Sequence, residues 1–318
     1  MNDSKALLIY NDFLHSDKFL THYEWLKAAA AKHDLVLDCI GNSKFLCSYG
    51  TSFDKELSET LKNYSFILFW DKDIRLGMKF TDICQKLEIP IYNNIHAIAD
   101  CDDKSATYEK IWQWNESHDD KDFIKMIPTI VAPMTYENIG YTNTDFLNGI
   151  VSKFGFPLVL KECFGSFGMQ VYMAHDMAEL EKTVKDIGGK PMLFQKYIEK
   201  SSGFDVRLQV VGDDVVAAMY RYTDDGDFRA NITHGGKMKC YEPDASEIKL
   251  AVDTVKALEL DFAGVDLLFS NGGDTPADMV CEVNSNAHFK NIFDCTGINV
   301  ADKIMEYIVL QDTNKRNI

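Results

Sequence analysis

Apolar and polar positions follow two rhythms along this chain, and the rhythm changes near its middle. Over residues 1–100, short apolar runs alternate with stretches of helical spacing. Residues 5–10 (KALLIY) and 35–40 (LVLDCI) read as strands, with an amphipathic helix over 17–32 between them. The run SFILFW at 65–70 has no polar interruption after its serine, as a strand covered on both faces requires. A helix over 75–88 and a short strand at 89–92 complete the segment. Strands spaced by helices predict a Rossmann-like α/β domain with a parallel sheet.

Residues 101–125 are polar and charged, with a capped helix expected over 103–114, a solvated linker at 118–122 and an extended segment at 127–133. Beyond residue 150 strands come in closer succession: 156–161, 169–173, 192–198, a hairpin of 205–211 and 215–221, then 262–269 and 279–283. Helices are expected over 177–186, 246–258 and 300–310. This pattern predicts an α+β region of two lobes, dividing the chain into 1–100, 101–194 and 195–318.

Composition narrows the function classes. The chain has 318 residues and a net charge of −16, which argues against a general nucleic-acid or anionic-membrane surface. A phosphate site needs only a local cluster of cations and stays open. Eight cysteines are present without a CxxC pair, so zinc and dithiol motifs are absent, and reduced, buried thiols in a cytoplasmic protein are expected. No apolar stretch reaches the length of a membrane span. No GxxxxGK[ST] and no GxGxxG follows a strand, so the standard phosphate-binding signatures are missing.

Three local patterns carry candidate chemistry. Lys161 ends a strand and is followed by the glycine-containing loop Cys163-Phe-Gly-Ser-Phe-Gly168; glycines let backbone N–H groups approach an anion closely. An ordinary flexible hairpin is the competing reading. Glu282 and Asn284, two apart on one strand, project to the same side, and Asp266 adds a carboxylate from a neighbouring strand. Such an oxygen set suits Mg2+, although a strand-end acid and amide taken alone more often simply face water. Arg207, Arg221 and Arg229 form a row of cations in an acidic chain; surface ion pairing is their simpler role. His15 and the segment Trp70-Asp71-Lys72-Asp73 fall at strand ends where an α/β sheet meets a cleft, with loop and capping roles as the default for them.

Together these stretches resemble the ATP-grasp superfamily, and most closely its RimK-like branch of amino-acid ligases (the alpha-L-glutamate ligase type), over roughly residues 100–310. The resemblance is carried by Asp103-Lys104, Pro157 to Lys161, the 163–168 loop, Gln195 to Ile198, Gly203-Phe-Asp-Val-Arg207, Val210 to Asp213, Gly226 to Asn231, His234-Gly-Gly236, Ala263-Gly-Val-Asp266 and Glu282-Val-Asn284. It implies ATP and Mg2+, with Mn2+ as an alternative ion. Lys104 and Lys161 would contact phosphates, and Gly165, Ser166, Phe167 and Gly168 would close over them. Gln195, Lys196, Tyr197 and Ile198 would flank adenine, and Asp205 would hold the ribose. Asp266, Glu282 and Asn284 would bind the metal. Arg229 and Asn231, with Arg207 and Arg221 nearby, would serve the transferred phosphate and the acyl intermediate; His234 is either a substrate-side group or a structural loop residue.

Two departures stand out: Lys196 replaces the acid usual in the RimK-like branch, and residues 271–278 add length between the metal-site strands. The implied activity is an ATP-dependent carboxylate–amine ligase working through an acyl phosphate. Amino-acid ligation is the leading form, with glutamate as one candidate. The alternatives are a ligase of another substrate class (a D-amino acid, a cofactor tail or a ribosomal peptide) and a nucleotide-binding regulator without turnover. Partners implied are small-molecule or peptide carboxylates and amines, with a homo-oligomer left open.

Overall fold

A computed structural model of the chain describes residues 4–165, 168–230, 232 and 235–316. The first four strands, β1 (Ser4–Tyr10), β2 (Leu35–Gly41), β3 (Ile67–Trp70) and β4 (Ile91–Tyr92), form a parallel sheet in the order β2-β1-β3-β4. Helices α1 (Asp17–Ala31), α2 (Phe53–Leu61) and α3 (Ile74–Leu87) are the crossovers. The apolar run at the third strand is explained by its two faces. Leu68 and Trp70 share one core with Ala6 and Leu8, while Ile67 and Phe69 pack with Leu7 and Ile9 against α2 and α3. All four residues of β3 are buried, as a period of two between two covered faces demands.

The Leu68 and Trp70 face is covered by the far end of the chain. Trp70 stacks on Phe262 at 5.7 Å between centroids and meets Phe289 edge-on at 5.8 Å. Ile304 and Ile308 of α10 (Val300–Arg316) fill the same core. A second tie is polar. Asn93 is fully buried, and its amide spends all its hydrogen-bonding capacity on this junction. Nδ2 donates to the carbonyls of Phe262 (3.0 Å) and Ser285 (2.9 Å), and Oδ1 accepts from the N–H groups of Asp261 (2.7 Å) and Phe262 (3.1 Å). The N-terminal sheet is thereby locked beside residues 261–262 and 285.

Two helices lead onward, α4 (Ile95–Asp102) and α5 (Lys104–Ser117). The expected cap is present, with Asp103 Oδ1 accepting from the Ser105 N–H at 2.8 Å. Asp120–Asp122, anticipated as a linker, forms a 3-10 turn pinned by Trp114 Nε1 on the Asp122 carbonyl at 3.0 Å. The second sheet is antiparallel, in the order β5-β8-β6-β7, from β5 (Thr129–Val131), β6 (Leu158–Glu162), β7 (Val171–Ala174) and β8 (Met192–Lys196). Helices α6 (Phe146–Phe154) and α7 (Met177–Ile187) cover it.

The third sheet is also antiparallel, in the order β11-β10-β9-β12-β13. Its strands are β9 (Phe204–Val211), β10 (Asp214–Tyr222), β11 (Lys237–Cys240), β12 (Phe262–Leu268) and β13 (Met279–Asn284). Val206, Leu208, Val210, Ala263, Val265 and Leu267 pack with Val252 and Val255 of α8 (Ala245–Ala257). Alternation therefore sends Asp205, Arg207, Gln209, Gly264 and Asp266 to the other face. The 271–278 segment is a connection tied back to the body: Asp278 Oδ1 accepts from the Ser270 N–H at 3.0 Å, and buried Glu247 accepts from the Ala277 N–H at 2.7 Å.

Candidate active site

The polar face of the third sheet floors a cavity of about 450 Å3 whose other walls come from the second sheet and the N-terminal domain. Every described residue that the sequence marked for nucleotide, metal or catalytic work lines it: Lys104, Lys161, Gly165, Gly168, Gln195, Lys196, Tyr197, Ile198, Asp205, Arg207, Arg221, Arg229, Asp266, Glu282 and Asn284. Ser166, Phe167, Asn231 and His234 lie outside the described residues.

Register explains the candidate metal set. Asp266 on β12 pairs directly with Glu282 on β13, and Gly264 pairs with Asn284. Directly opposed residues share a face, so two carboxylates and one amide converge. A β-bulge follows, because Leu267 pairs with Val280 and Cys281 becomes the extra residue. Bulges re-aim neighbouring side chains, and here Cys281 and Glu282, though adjacent in sequence, both line the cavity. Gly264 is required by close packing: a Cβ there would sit 2.7 Å from the Ala287 Cβ.

Behind the acids lies a buried charge network. Arg207 forks onto Asp266, with Nε–Oδ1 at 2.6 Å and Nη2–Oδ2 at 2.7 Å. Arg221 does the same to Asp205 and adds Nη2 to Asp266 Oδ2 at 2.9 Å. Burial alone would raise the Asp266 carboxyl, but two guanidinium groups more than offset it and hold it below the usual carboxylate range. Asp205 has one fork and the neighbouring Asp266 charge, so burial dominates and pushes it above that range. Asp266 is thus kept ionised. An ionised carboxylate has about four lone-pair sites, and three are used here, which leaves one on Oδ1.

The cations expected at phosphates take two different arrangements. Lys104 Nζ donates to the Gly165 carbonyl at 3.0 Å and lies 3.5 Å from Glu282 Oε1, so it joins the glycine loop to the candidate metal set. Lys161 is only 7% exposed, and the partner of its ammonium among the described residues is the Cys281 sulfur at 3.6 Å. A thiol is a weak acceptor. No carboxylate among the described residues pairs with Lys161. Arg229 forks onto Asp227 and reaches across to the Gly168 carbonyl with Nη1 at 3.1 Å, joining the loop after β10 to the glycine loop.

On β8 the side chain of Gln195 turns to a structural task. Its Nε2 donates to Tyr108 Oη at 2.7 Å and Thr129 Oγ1 at 2.9 Å. Lys196 is exposed at the rim. Of the strand-end candidates, Trp70, Asp71 and Lys72 line the cavity, Asp73 caps α3 by accepting from the Leu76 N–H at 3.1 Å, and His15 is exposed and is not among the lining residues. Asn11, Tyr23, Asn286 and His288 also line the cavity. None carries a motif signal: Asn11 and Tyr23 are brought in by the docking of the N-terminal domain, and Asn286 and His288 lie in the connection after β13.

The residues present suit Mg2+ by donor chemistry: two carboxylates and an amide oxygen, with room for phosphate oxygens to complete an octahedron. Among the described residues no cluster of three or more His, Cys, Asp and Glu side chains could hold a metal ion. The eight cysteines are free thiols; Cys84, Cys101 and Cys163 are buried, whereas Cys240 is exposed against expectation. Burial pushes the Cys163 thiol up to about 11, above the usual range. No helix among the described residues is long and apolar enough to cross a membrane.

Two antiparallel sheets gripping a phosphate-type cavity beside a parallel α/β domain define an ATP-grasp fold. A search of solved structures agrees: the D-alanine–D-alanine ligase of Bacillus anthracis complexed with ATP superposes with a TM-score of 0.67, covering 99% of this chain and 100% of that one at 18% identity. The RimK-like ATP-grasp domain model matches residues 120–308, and the chain belongs to that family. An uncharacterized protein of Mycoplasma pneumoniae is 28% identical over 87% of this chain and 90% of its own length. A probable alpha-L-glutamate ligase of Shewanella baltica is 40% identical over 48% of this chain and 50% of its own.

Proposed function

We propose that this protein is an ATP-dependent carboxylate–amine ligase that activates a carboxylate as an acyl phosphate and joins it to an amine, releasing ADP and phosphate. The observation that carries the reading is the buried ammonium of Lys161, without a carboxylate partner among the described residues, set beside the facing Asp266, Glu282 and Asn284. A cation and an oxygen set of this kind belong together where a triphosphate with its Mg2+ bridges them. Amino-acid ligation is the leading form, supported by the similarity to a probable alpha-L-glutamate ligase. The lobes are taken as 1–100, 101–194 and 195–318.

In this reading Lys104, Lys161 and the backbone of the 163–168 loop hold the phosphates. Residues 195–198 flank adenine, and Asp205 reaches the ribose with the lone pairs that Arg221 leaves. Asp266, Glu282 and Asn284 hold Mg2+, which when bound neutralises phosphate oxygens. Arg207 and Arg221 keep Asp266 ionised and oriented. Arg229, with Asn231, faces the transferred phosphate. Positioning and preorganised charge suffice for such a transfer, and no protein nucleophile is needed.

The test is ADP release across a panel of amino acids and simple carboxylates. Release should require both a carboxylate and an amine, and Glu282→Gln should abolish it while the circular dichroism spectrum is unchanged. Undiminished turnover in that variant would remove Glu282 from the site. Tight ATP binding with no ADP release across the panel would favour a nucleotide-binding regulator instead.

A further inference from the structure

The cavity has a second charged end, opposite in sign to Lys161 and on the N-terminal wall. Asp71 follows β3 and is 5% exposed. Its Oδ1 accepts from Asn11 Nδ2 at 3.1 Å and from the Lys72 N–H at 2.7 Å. Its Oδ2 is buried without a hydrogen-bond partner. The cation next to it in sequence is committed elsewhere, since Lys72 Nζ pairs with Asp102 at 2.6 Å. Burial, and after it the neighbouring Asp73 charge, push the Asp71 carboxyl above its usual range, with the Asn11 amide and the Lys72 and Asp73 backbone N–H groups working in the other direction.

A second orphan atom belongs to the same corner. Asn286 lies two residues beyond Asn284 and lines the same cavity. Its Nδ2 donates to the carbonyls of Phe69 (3.4 Å) and Asp71 (3.3 Å), which fixes the amide orientation, because the flipped form would set oxygen against oxygen. Its Oδ1 is consequently turned away from that strand, and it too is buried without a partner. Asn11 is fixed in the same way, with Oδ1 accepting from the Phe13 N–H at 3.0 Å, so that its Nδ2 must face Asp71. Tyr23, whose phenol is raised by burial and then by the Asp71 charge, stays a neutral wall group.

We propose that Asp71 Oδ2 and Asn286 Oδ1 form a subsite for a primary ammonium group of a substrate. Two orphan acceptors, one of them charged, match a group with three N–H donors and one positive charge. A hard metal ion is a poorer match, since it demands six or more oxygen ligands. Neutral donors such as hydroxyls would leave the Asp71 charge uncompensated in a buried setting. The assignment builds on the ligase reading, because it takes the ammonium to belong to one of the two molecules joined, and it narrows that molecule to an amine-bearing compound such as a free amino acid. Since Asn286 follows Asn284 by two residues, the subsite adjoins the candidate metal set, and a molecule anchored there presents its reacting end to the phosphate side.

Direct binding tests the subsite without turnover. With AMP-PNP and Mg2+ present, the common L-amino acids, D-alanine and 1,4-diaminobutane are each titrated calorimetrically beside their N-acetylated forms. At least one free amine should bind, its N-acetylated form should not, and Asp71→Asn should weaken the free amine about tenfold or more. AMP-PNP affinity should stay within about twofold, the difference expected from a contact the nucleotide does not make. If Asp71→Asn fails to fold, as judged by lost AMP-PNP binding, Asn286→Leu decides: a weakened amine with intact AMP-PNP binding supports the subsite, and unchanged amine affinity overturns it. Equal binding of acetylated and free forms, unchanged amine affinity in a folded Asp71→Asn, or no binding of any free amine also overturns it. ADP release is a separate readout: amine binding through Asp71 without ADP release would sink the ligase reading alone.

Discussion

Arg221 stands between two buried carboxylates, its Nε 2.6 Å from Asp205 and its Nη2 2.9 Å from Asp266. The Arg221 side chain is 8% exposed, with Asp205 at 14% and Asp266 at 4%. Removing it leaves two buried charges with one remaining arginine. Arg221→Met should therefore cost about 4 kcal/mol of unfolding free energy, measured by urea denaturation. Arg221→Lys should recover only part of that, because an ammonium cannot fork onto two acids at once. A loss below about 1 kcal/mol in Arg221→Met would show that the network is not structurally important.

The two carboxylates of this network respond to acid with opposite signs. Asp266 sits below its usual range in the folded protein, so its contribution to stability is present above that range and is lost as pH falls through its folded value. Asp205 sits above the usual range, so it contributes stability at low pH that is lost as pH rises through its folded value. Asp266→Asn should accordingly flatten the acid limb of the unfolding profile, and Asp205→Asn should flatten the limb above it. Parallel profiles for the two variants would contradict the assigned asymmetry.

Asp71 should trade stability for binding. Its folded carboxyl lies above the usual range, so the folded protein bears the cost of a buried charge once pH exceeds that value. Asp71→Asn keeps an oxygen for Asn11 and Lys72 and removes the charge. The variant should unfold about 2 °C higher than the natural protein at neutral pH. The gain should shrink as pH falls into the usual carboxylate range, where both forms are neutral. Differential scanning calorimetry at several pH values measures it; a lower midpoint at neutral pH would mean that the charge is compensated.

Lys161 should matter for the nucleotide and little for the fold. Among the described residues its ammonium is partnered by the Cys281 sulfur alone. Lys161→Met should weaken AMP-PNP by about 2 kcal/mol, roughly thirtyfold in Kd, with an unfolding midpoint equal to or above that of the natural protein. Unchanged nucleotide affinity would disconnect this lysine from the phosphates.

Asn93 tests how the N-terminal wall is held. Its four hydrogen bonds join the parallel sheet to residues 261, 262 and 285. Asn93→Ala strands buried backbone groups and should cost about 3 kcal/mol, measured by urea denaturation. Retained stability would mean that Trp70 and the apolar core hold the junction alone.

The local chemistry was legible in the sequence because strands impose a period of two. Glu282 and Asn284 share a face for that reason alone, and the buried run ending at Trp70 announced a strand with two covered sides. Asp103 announced its helix through capping. Helices α2, α4, α6 and α9 (Lys290–Thr296) and strand β11 escaped notice. α4 does carry a signal, since Asn94 Oδ1 accepts from the His96 N–H at 2.9 Å, but its run is short and continues directly into the next helix. The sequence placed Asp71 at a strand end where a sheet meets a cleft, with a loop or capping role as the default.

What the chain determined by itself were the short-range relationships: which residues share a strand face, which loop is rich in glycine, which acids stand two apart. What only the tertiary structure decided were the long-range ones. The bulge at Cys281 depends on the pairing of β12 with β13. The partnering of Arg221 with both Asp205 and Asp266 depends on three strands lying side by side. The meeting of Asp71 with Asn286, 215 positions apart, depends on docking one domain against another. Such contacts are set by the packing of faces and by buried hydrogen bonds like those of Asn93, and no local pattern encodes which distant surface will arrive.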